Sequence, residues 1–469
     1  METINFPNSP NFLKSITCIE VEKLFGKYNY KLQKENNSYS NNSLMILYGD
    51  NGSGKTTILK LLFHTLSAAS ERGHRTFIAK TSFLKFSVEF TDKTKILITR
   101  DNSLKGSFEI VCLKHTEEIA KTIYKFENGK LDSEDEPFLE KFSDLNLNLF
   151  ILGDDRTLDS NIFYSQDNNS KERIIDMDSL SKQLEILRSQ LKGLHRQSND
   201  NLKSALESSI QRVEEWIRDQ AYQGSDRGEK DVHSIYEEIV QSIVMPEKEN
   251  SDSFEYEFTR MIESFEKQEK RSREYSRFGL IPPLSTKKLI DILQKSSSDT
   301  YPVLQKILTP YLGSITARMN ALQSIQEILT TFVNTINQGF LHDKKIKFHL
   351  RDGLEILTKE KGKEISLDPE MLSSGEKQLL LLFCNTFAAR ERATIFIIDE
   401  PEISLNIKWQ RQLIQSLLKC TEGSQIQFLL ATHSIELLSQ YDNDVVDLEN
   451  IEEATEHGEE KTRETTIAS

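Results

Sequence analysis

Between two apolar runs the chain reads YGDNGSGKTTILK at residues 48–60. Leu44–Tyr48 has the character of a buried strand, and Thr56–Leu66 carries apolar residues at helical spacing. The stretch joining them spaces Gly49, Gly54, Lys55 and Thr56 as a phosphate-cradling loop does. In such a loop glycines let backbone N–H groups approach the anion, and the lysine reaches the terminal phosphates. The expected nucleotide-binding residues are therefore Gly49, Asp50, Asn51, Gly52, Ser53, Gly54, Lys55, Thr56 and Thr57, with the Thr56 hydroxyl on magnesium. A plain glycine turn between strand and helix is the competing reading, so the class has to rest on more than one motif.

The chain has 469 residues, enough for about two or three domains with a sizeable core. Hydrophobic residues at 37% and charged residues at 28% fit a globular protein carrying some long, solvated helix. No apolar run approaches the roughly 18–20 residues that span a bilayer, and the opening METINFPNSPNF has neither the basic region nor the apolar core of a signal peptide. The expected location is the cytosol, with no membrane partner. Cys18, Cys112, Cys384 and Cys420 lack metal-type pairing and read as reduced packing residues. A net charge of −14 argues against a surface that generally coats nucleic acid, so DNA binding has to rest on a local patch. Lys344, Lys345 and Lys347 form a small basic cluster, for which solvated lysines beside a strand are the plainer reading.

Short β-type runs dominate the first part, at 15–21, 28–32, 43–48, 84–90, 95–99, 108–113 and 147–152, and suggest a mixed sheet around the phosphate loop. From about Arg173 the character changes to long polar helix. Leu180, Leu184, Leu187, Leu191 and Leu194 step as a coiled-coil seam does, and a second stripe follows at Leu202, Leu206, Ile210, Val213 and Ile217. Further helices are expected at 233–244, 254–277, 287–294 and 314–340, with Pro282 and Pro283 interrupting the series. Strand character returns after His342, and helix and strand then alternate to about Leu448, as in a parallel sheet. The expected divisions are 1–172, 173–340 and 341–448, with an acidic, mobile tail at 449–469.

The second half supplies what the phosphate loop lacks. In TIFIIDEPE, four apolar residues deliver Asp399 and Glu400 at a strand end, one to assist magnesium and the other to polarise an attacking water. In MLSSGEKQLLLLFCNTF, Ser373, Ser374, Gly375 and Glu376 open a heavily apolar helix whose free N–H groups favour an anion; a serine N-cap on a core helix is the alternative. IQFLLATHS ends a further apolar strand in His433, whose imidazole is placed to meet a terminal phosphate.

In order and spacing these four motifs resemble the ABC-type ATPase head, in which two heads sandwich two ATP molecules with magnesium. The resemblance implies an α/β fold, a mixed sheet plus a parallel core interrupted by a helical coiled-coil insertion, with slow ATP hydrolysis. It makes Lys55 and Thr56 the phosphate and magnesium residues, Asp399 the second metal residue, Glu400 the catalytic base, His433 the γ-phosphate sensor and Ser373–Glu376 the signature closing on the partner's ATP. The segment SLN at 404–406 resembles the one that communicates across the dimer, with Asn406 where relatives often carry Asp or His. The glutamine loop has no clear counterpart beyond the segment 153–156.

A helical insertion this long makes the transporter branch a minor alternative and resembles the SMC, Rad50 and RecF branch, though the arm is far shorter than an SMC arm. IEVEKLFGKYNYKL and FIIDEPEISLNIKWQRQLIQSLL look like the anti-phage ATPases: the AriA subunit of PARIS, the PtuA subunit of Septu and the head of OLD nucleases. The short stretch after His433 leaves no room for the nuclease domain that OLD proteins carry. That points to AriA or PtuA, and the compact length and short arm make AriA the preferred resemblance. It implies a higher oligomer that holds a separate Toprim-type effector nuclease and releases it when a phage-encoded trigger protein is sensed. The alternatives are a PtuA-like ATPase paired with an HNH nuclease, and a RecF- or Rad50-like repair ATPase that grips DNA between its heads.

Overall fold

The computed structural model of the chain describes residues 15–33, 43–68, 73–101, 103–132, 136–145, 147–153, 158–161, 206–225, 254–296, 300–339, 343–390, 395–403, 405–438 and 441–449. The leucine stripe at 180–194, the helix expected at 233–244, nearly all of the segment 153–156, Ser404 and the acidic tail beyond residue 449 lie outside the described residues. The chain divides into two compact units, one drawn from Met1–Leu202 and Ala389–Ser469, the other from Lys203–Ala388.

The first unit holds two sheets. Seven strands pair antiparallel in the order β2-β1-β4-β5-β6-β7-β8: β1 (Ile16–Leu24), β2 (Tyr28–Gln33), β4 (Lys85–Phe90), β5 (Thr94–Thr99), β6 (Phe108–Lys114), β7 (Glu117–Glu127) and β8 (Lys130–Asp132). Burial alternates strictly along β5, as expected of a strand with one face on a core. The second sheet runs β10-β9-β14-β15-β3-β16: β3 (Leu44–Tyr48), β9 (Leu149–Leu152), β10 (Leu158–Asn161), β14 (Ile395–Asp399), β15 (Gln427–Thr432) and β16 (Val445–Asp447). All but β10 are parallel, and β9, β14 and β15 are buried along their whole length, which is why they read as unbroken apolar runs. The α/β class with a parallel core is as expected; the seven-stranded sheet beside it, formed from strands expected to make a mixed sheet, is antiparallel throughout. The side chain of Gln427 ties the two together, its Nε2 donating to Ile16 O at 2.9 Å and its Oε1 accepting from Ile16 N at 2.7 Å.

Helix α1 (Lys55–Leu66) packs on β9, β14 and β15 and contributes Ile58, Leu59, Leu61, Leu62, Phe63 and Leu66 to the core. Its C-terminal end is tied down by Arg75, at the start of α2 (His74–Lys80). The buried guanidinium donates to His64 O, Thr65 O and Ser67 O at 2.7, 3.2 and 2.9 Å, satisfying carbonyls that a helix end leaves open. A short α3 (Glu136–Ser143) precedes β9, while α10 (Ile407–Cys420) and α11 (Ile435–Leu438) follow β14 and β15.

The second unit contains a helix over 206–225 (α4), α5 (Phe254–Ser276), α6 (Lys287–Lys295), α7 (Tyr301–Ala321), α8 (Gln323–Gly339) and α9 (Ser374–Ala389). The single helix expected over 314–340 is two, separated at Leu322, and the first begins at Tyr301. Pro302 falls in its first turn, where no N–H is required, and the helix runs on through Pro310. Met261, Phe265, Leu293 and Leu308 form the core between α5, α6 and α7.

The stripe residues Leu206, Val213 and Ile217 are buried within this unit, where Trp216 meets Phe387 edge-on at 4.9 Å and Arg212 donates to Asn385 Oδ1 at 2.9 Å. The contacts of α4 thus run to α9. Strands β11 (Lys344–His349), β12 (Gly353–Glu360) and β13 (Lys363–Ser366) form a separate antiparallel sheet. They belong with the helices rather than with the lobe expected over 341–448, because Asn337 of α8 bonds both N and O of Ile346, and Leu350 N donates to Phe278 O at 2.8 Å. Phe332 is fully buried and packs on Phe387 with ring centroids 4.4 Å apart. Phe332→Ala should cost about 3–5 kcal/mol, read as a lowered denaturant midpoint; an unchanged midpoint would remove this contact from the core.

Candidate active site

Parallel pairing brings three strand ends to one edge of the second sheet. Asp399 of β14 registers with Ala431 of β15, and Ala431 with Leu47 of β3, so the chain segments that follow all emerge together. This is the edge at which open α/β sheets hold their ligands.

The segment after β3 is the glycine-rich loop. Gly52 and Gly54 take φ values of 86° and 99°, which glycine adopts without strain. A Cβ on Gly54 would lie 2.7 Å from Leu24 Cδ2 and 3.3 Å from Phe25 Cε2, so the β1–β2 hairpin shapes the loop from outside. Tyr30 supports it as well, its hydroxyl donating to Ser53 O at 3.0 Å. Lys55 opens α1 and is 5% exposed; its ammonium donates to Gly49 O at 2.7 Å and Asp50 O at 3.0 Å and so curls back over the loop. No side chain caps the N-terminus of α1, which leaves its first N–H groups directed at the loop's concavity. Thr56 and Thr57, on that first turn, are half-buried.

The segment after β14 carries the acids. Asp399 is 1% exposed at the strand end. Glu400 follows in the left-handed region at φ 48°, with its N–H donating to Ala431 O at 2.9 Å. Its carboxylate lies 3.9 Å from Lys55 Nζ through Oε1 and 2.5 Å from His433 Nδ1 through Oε2. Burial pushes the Glu400 carboxyl up to about 7, the neighbouring Glu402 carboxylate adds to the rise, and His433 opposes it. A carboxyl so placed is a base suited to neutral pH. The structure thus brings Lys55, Glu400 and His433 into one cluster at the sheet edge, with Asp399 beside them.

Two residues in this neighbourhood escape sequence reasoning. Glu402 is 4% exposed and accepts from the Thr432 hydroxyl and from His433 N at 3.1 Å. Tyr30 is the other, and its only sequence signal is alternation within a strand. Asn406 caps α10, accepting from Trp409 N at 2.9 Å.

Ser373, Ser374, Gly375 and Glu376 lie in the second unit, at the start of α9. There they form a capping box: Ser373 N and Oγ each donate to Glu376 Oε2 at 2.8 Å, and the Ser373 hydroxyl faces Glu376 N at 3.4 Å. Lys344 adds both of its 2.9 Å bonds to the Glu376 carboxylate, and Lys345 pairs with Glu364, so two of the three clustered lysines are engaged in ion pairs. The serine N-cap is therefore present. Ser373 and Ser374 are exposed at the helix tip. The four cysteines are buried free thiols.

A glycine-rich loop after the parallel strand β3, with a histidine after its neighbour β15 and acids at the end of β14 one strand further on, is the arrangement of a P-loop nucleotide-binding protein. The chain belongs to the family described as "AAA domain, putative AbiEii toxin, Type IV TA system", which matches residues 44–439. No curated protein sequence matches it. Similar solved structures include the Smc head domain with an extended coiled coil bound to the C-terminal domain of ScpA from Pyrococcus furiosus, at 14% identity over 96% of this chain and 99% of that one, TM-score 0.37. The Smc head domain with a coiled coil and joint from Pyrococcus yayanosii gives 13% identity, 95% and 99% coverage and a TM-score of 0.35. The Smc head bound to the C-winged helix domain of ScpA gives 12%, 94% and 99%, with a TM-score of 0.36. Among the described residues no helix is long and apolar enough to cross a membrane.

Proposed function

We propose that this chain binds ATP with magnesium and hydrolyses it slowly. The observation that carries the reading is the meeting of Lys55 and His433 on the Glu400 carboxylate at the mouth of the phosphate loop. The residues fit a nucleoside triphosphate: an uncapped helix N-terminus and two left-handed glycines offer N–H groups, and Lys55 offers a cation. Magnesium, held by Thr56 and Asp399, would supply charge neutralisation at the phosphates. Within the protein, Glu400 takes the proton from the attacking water, Lys55 meets the charge that builds up on the terminal phosphate, and His433 orients Glu400. Phosphate release from ATP by the purified chain, dependent on magnesium, is the direct test; no release above a Lys55→Ala control would end the proposal.

The finer reading is that ATP drives a sensor and latch of anti-phage defence. The family description names a type IV toxin–antitoxin system; the nuclease and trigger come from the sequence resemblance to AriA alone, by which a homo-oligomer would hold a separate Toprim-type nuclease until a phage-encoded trigger arrives. In that arrangement Ser373–Glu376 of one protomer complete the ATP site of its partner. Mixing a Lys55→Ala chain with a Ser374→Arg chain should then recover part of the turnover that each alone has lost, because one of the two composite sites is intact. A mixture as inactive as its parents would point to a site made within one chain.

A further inference from the structure

Beyond its share in raising the Glu400 carboxyl, Glu402 has no role assigned above, yet it is buried beside that site. Residues 400–403 turn tightly after β14, with Ile403 N donating to Glu400 O at 3.3 Å, and Leu405 N donates to Glu402 O at 2.9 Å. The turn sends the Glu402 side chain to the end of β15. There a single oxygen, Oε1, accepts from the Thr432 hydroxyl and from His433 N at 3.1 Å, and lies 3.5 Å from His433 Nδ1. The Thr432 hydroxyl in turn accepts from Ser434 N at 2.9 Å, and Ser434 Oγ donates to Gln410 Oε1 of α10 at 2.8 Å. His433 is therefore flanked on both sides by residues in this network. Its ring is half exposed, so packing alone does not fix it, and it nevertheless meets Glu400 at 2.5 Å. A buried carboxylate is costly unless hydrogen bonds or a partner charge compensate it, and the donors to this one, the Thr432 hydroxyl and the His433 N–H, sit on the turn bearing the imidazole.

We propose that Glu402 is a positioning residue, clasping the end of β15 through Thr432 and the His433 N–H so that the His433 imidazole is delivered to Glu400. The inference rests on the hydrolytic reading of the site for its consequence, not for its geometry. In this role Glu402 acts through His433, apart from its direct effect on the Glu400 carboxyl. Glutamine at 402 keeps an oxygen that accepts from the same two donors, whereas alanine removes the clasp.

A double-mutant cycle with a conservative rescue tests it. Glu402→Ala should lower kcat by about 10-fold or more with little change in the KM for ATP. In a His433→Ala background the same substitution should cost nothing further, and Glu402→Gln should restore most of the rate. Losses that multiply in the double variant, or Glu402→Gln as impaired as Glu402→Ala, would overturn the proposal. A second readout does not need turnover. In the full chain labelled with ¹⁵N-histidine, His433→Ala identifies one of nine imidazole signals; Glu402→Ala should move that signal and Glu402→Gln should leave it near its wild-type place. A His433 signal unmoved by Glu402→Ala rejects the clasp whether or not the chain hydrolyses ATP, whereas a signal that moves in a chain without ATPase keeps the clasp and overturns the hydrolytic reading alone. Should Glu402→Ala not fold, Thr432→Val, which removes one donor and keeps Glu402, is read by the same two measurements.

Discussion

Glu400→Gln should lower ATP turnover by about 10²- to 10⁴-fold, the usual cost of losing a general base, while ATP remains bound. Glutamine has the size of glutamate and can still meet His433 and Lys55, which approach the Glu400 carboxylate at 2.5 and 3.9 Å. What it cannot do is take a proton. The variant should therefore hold ATP through gel filtration while releasing almost no phosphate. Equal phosphate release by wild type and variant would take the base assignment away from Glu400.

Lys55→Ala should act on binding instead. Its side chain is 5% exposed and its ammonium closes the loop on Gly49 O and Asp50 O, so alanine removes a buried lysine and loosens the turn that it spans. Truncating one partner of a buried charged contact costs about 2–4 kcal/mol, or about 30- to 1,000-fold in Kd. Calorimetric titration with magnesium ATP measures it directly. A Kd within about threefold of wild type, less than 1 kcal/mol, would show that the lysine serves the loop alone.

Where the site was legible, one local signal sufficed. β3, the loop and α1 follow from an apolar run, glycine spacing and helical periodicity in adjacent residues, and Asp399, Glu400 and His433 each terminate or closely follow an apolar strand. Glu402 was visible in the same DEPE string but not readable, because its place depends on the left-handed turn at Glu400 and on which strand lies beside β14. Partition of the early strands between two sheets is likewise non-local: burial on both faces sends β3 and β9 to the parallel core, but nothing in their own sequence names their neighbours. The strands β7 and β8 are mostly exposed and so lack the apolar pattern on which a reading depends. The division at Leu322 escaped because α7 and α8 carry apolar residues on both sides of it without a glycine or proline to mark the break.

The backbone at position 400 has one further consequence. At φ 48° it takes a conformation that glycine adopts freely and that costs a residue with a side chain about 1–2 kcal/mol. A lineage shaped only by the need to stay folded would gain by exchanging this glutamate for glycine. Its retention in a copy of the gene is thus a marker that the chemistry is still in use, and its loss is among the first changes to look for in a copy that has decayed into a scaffold.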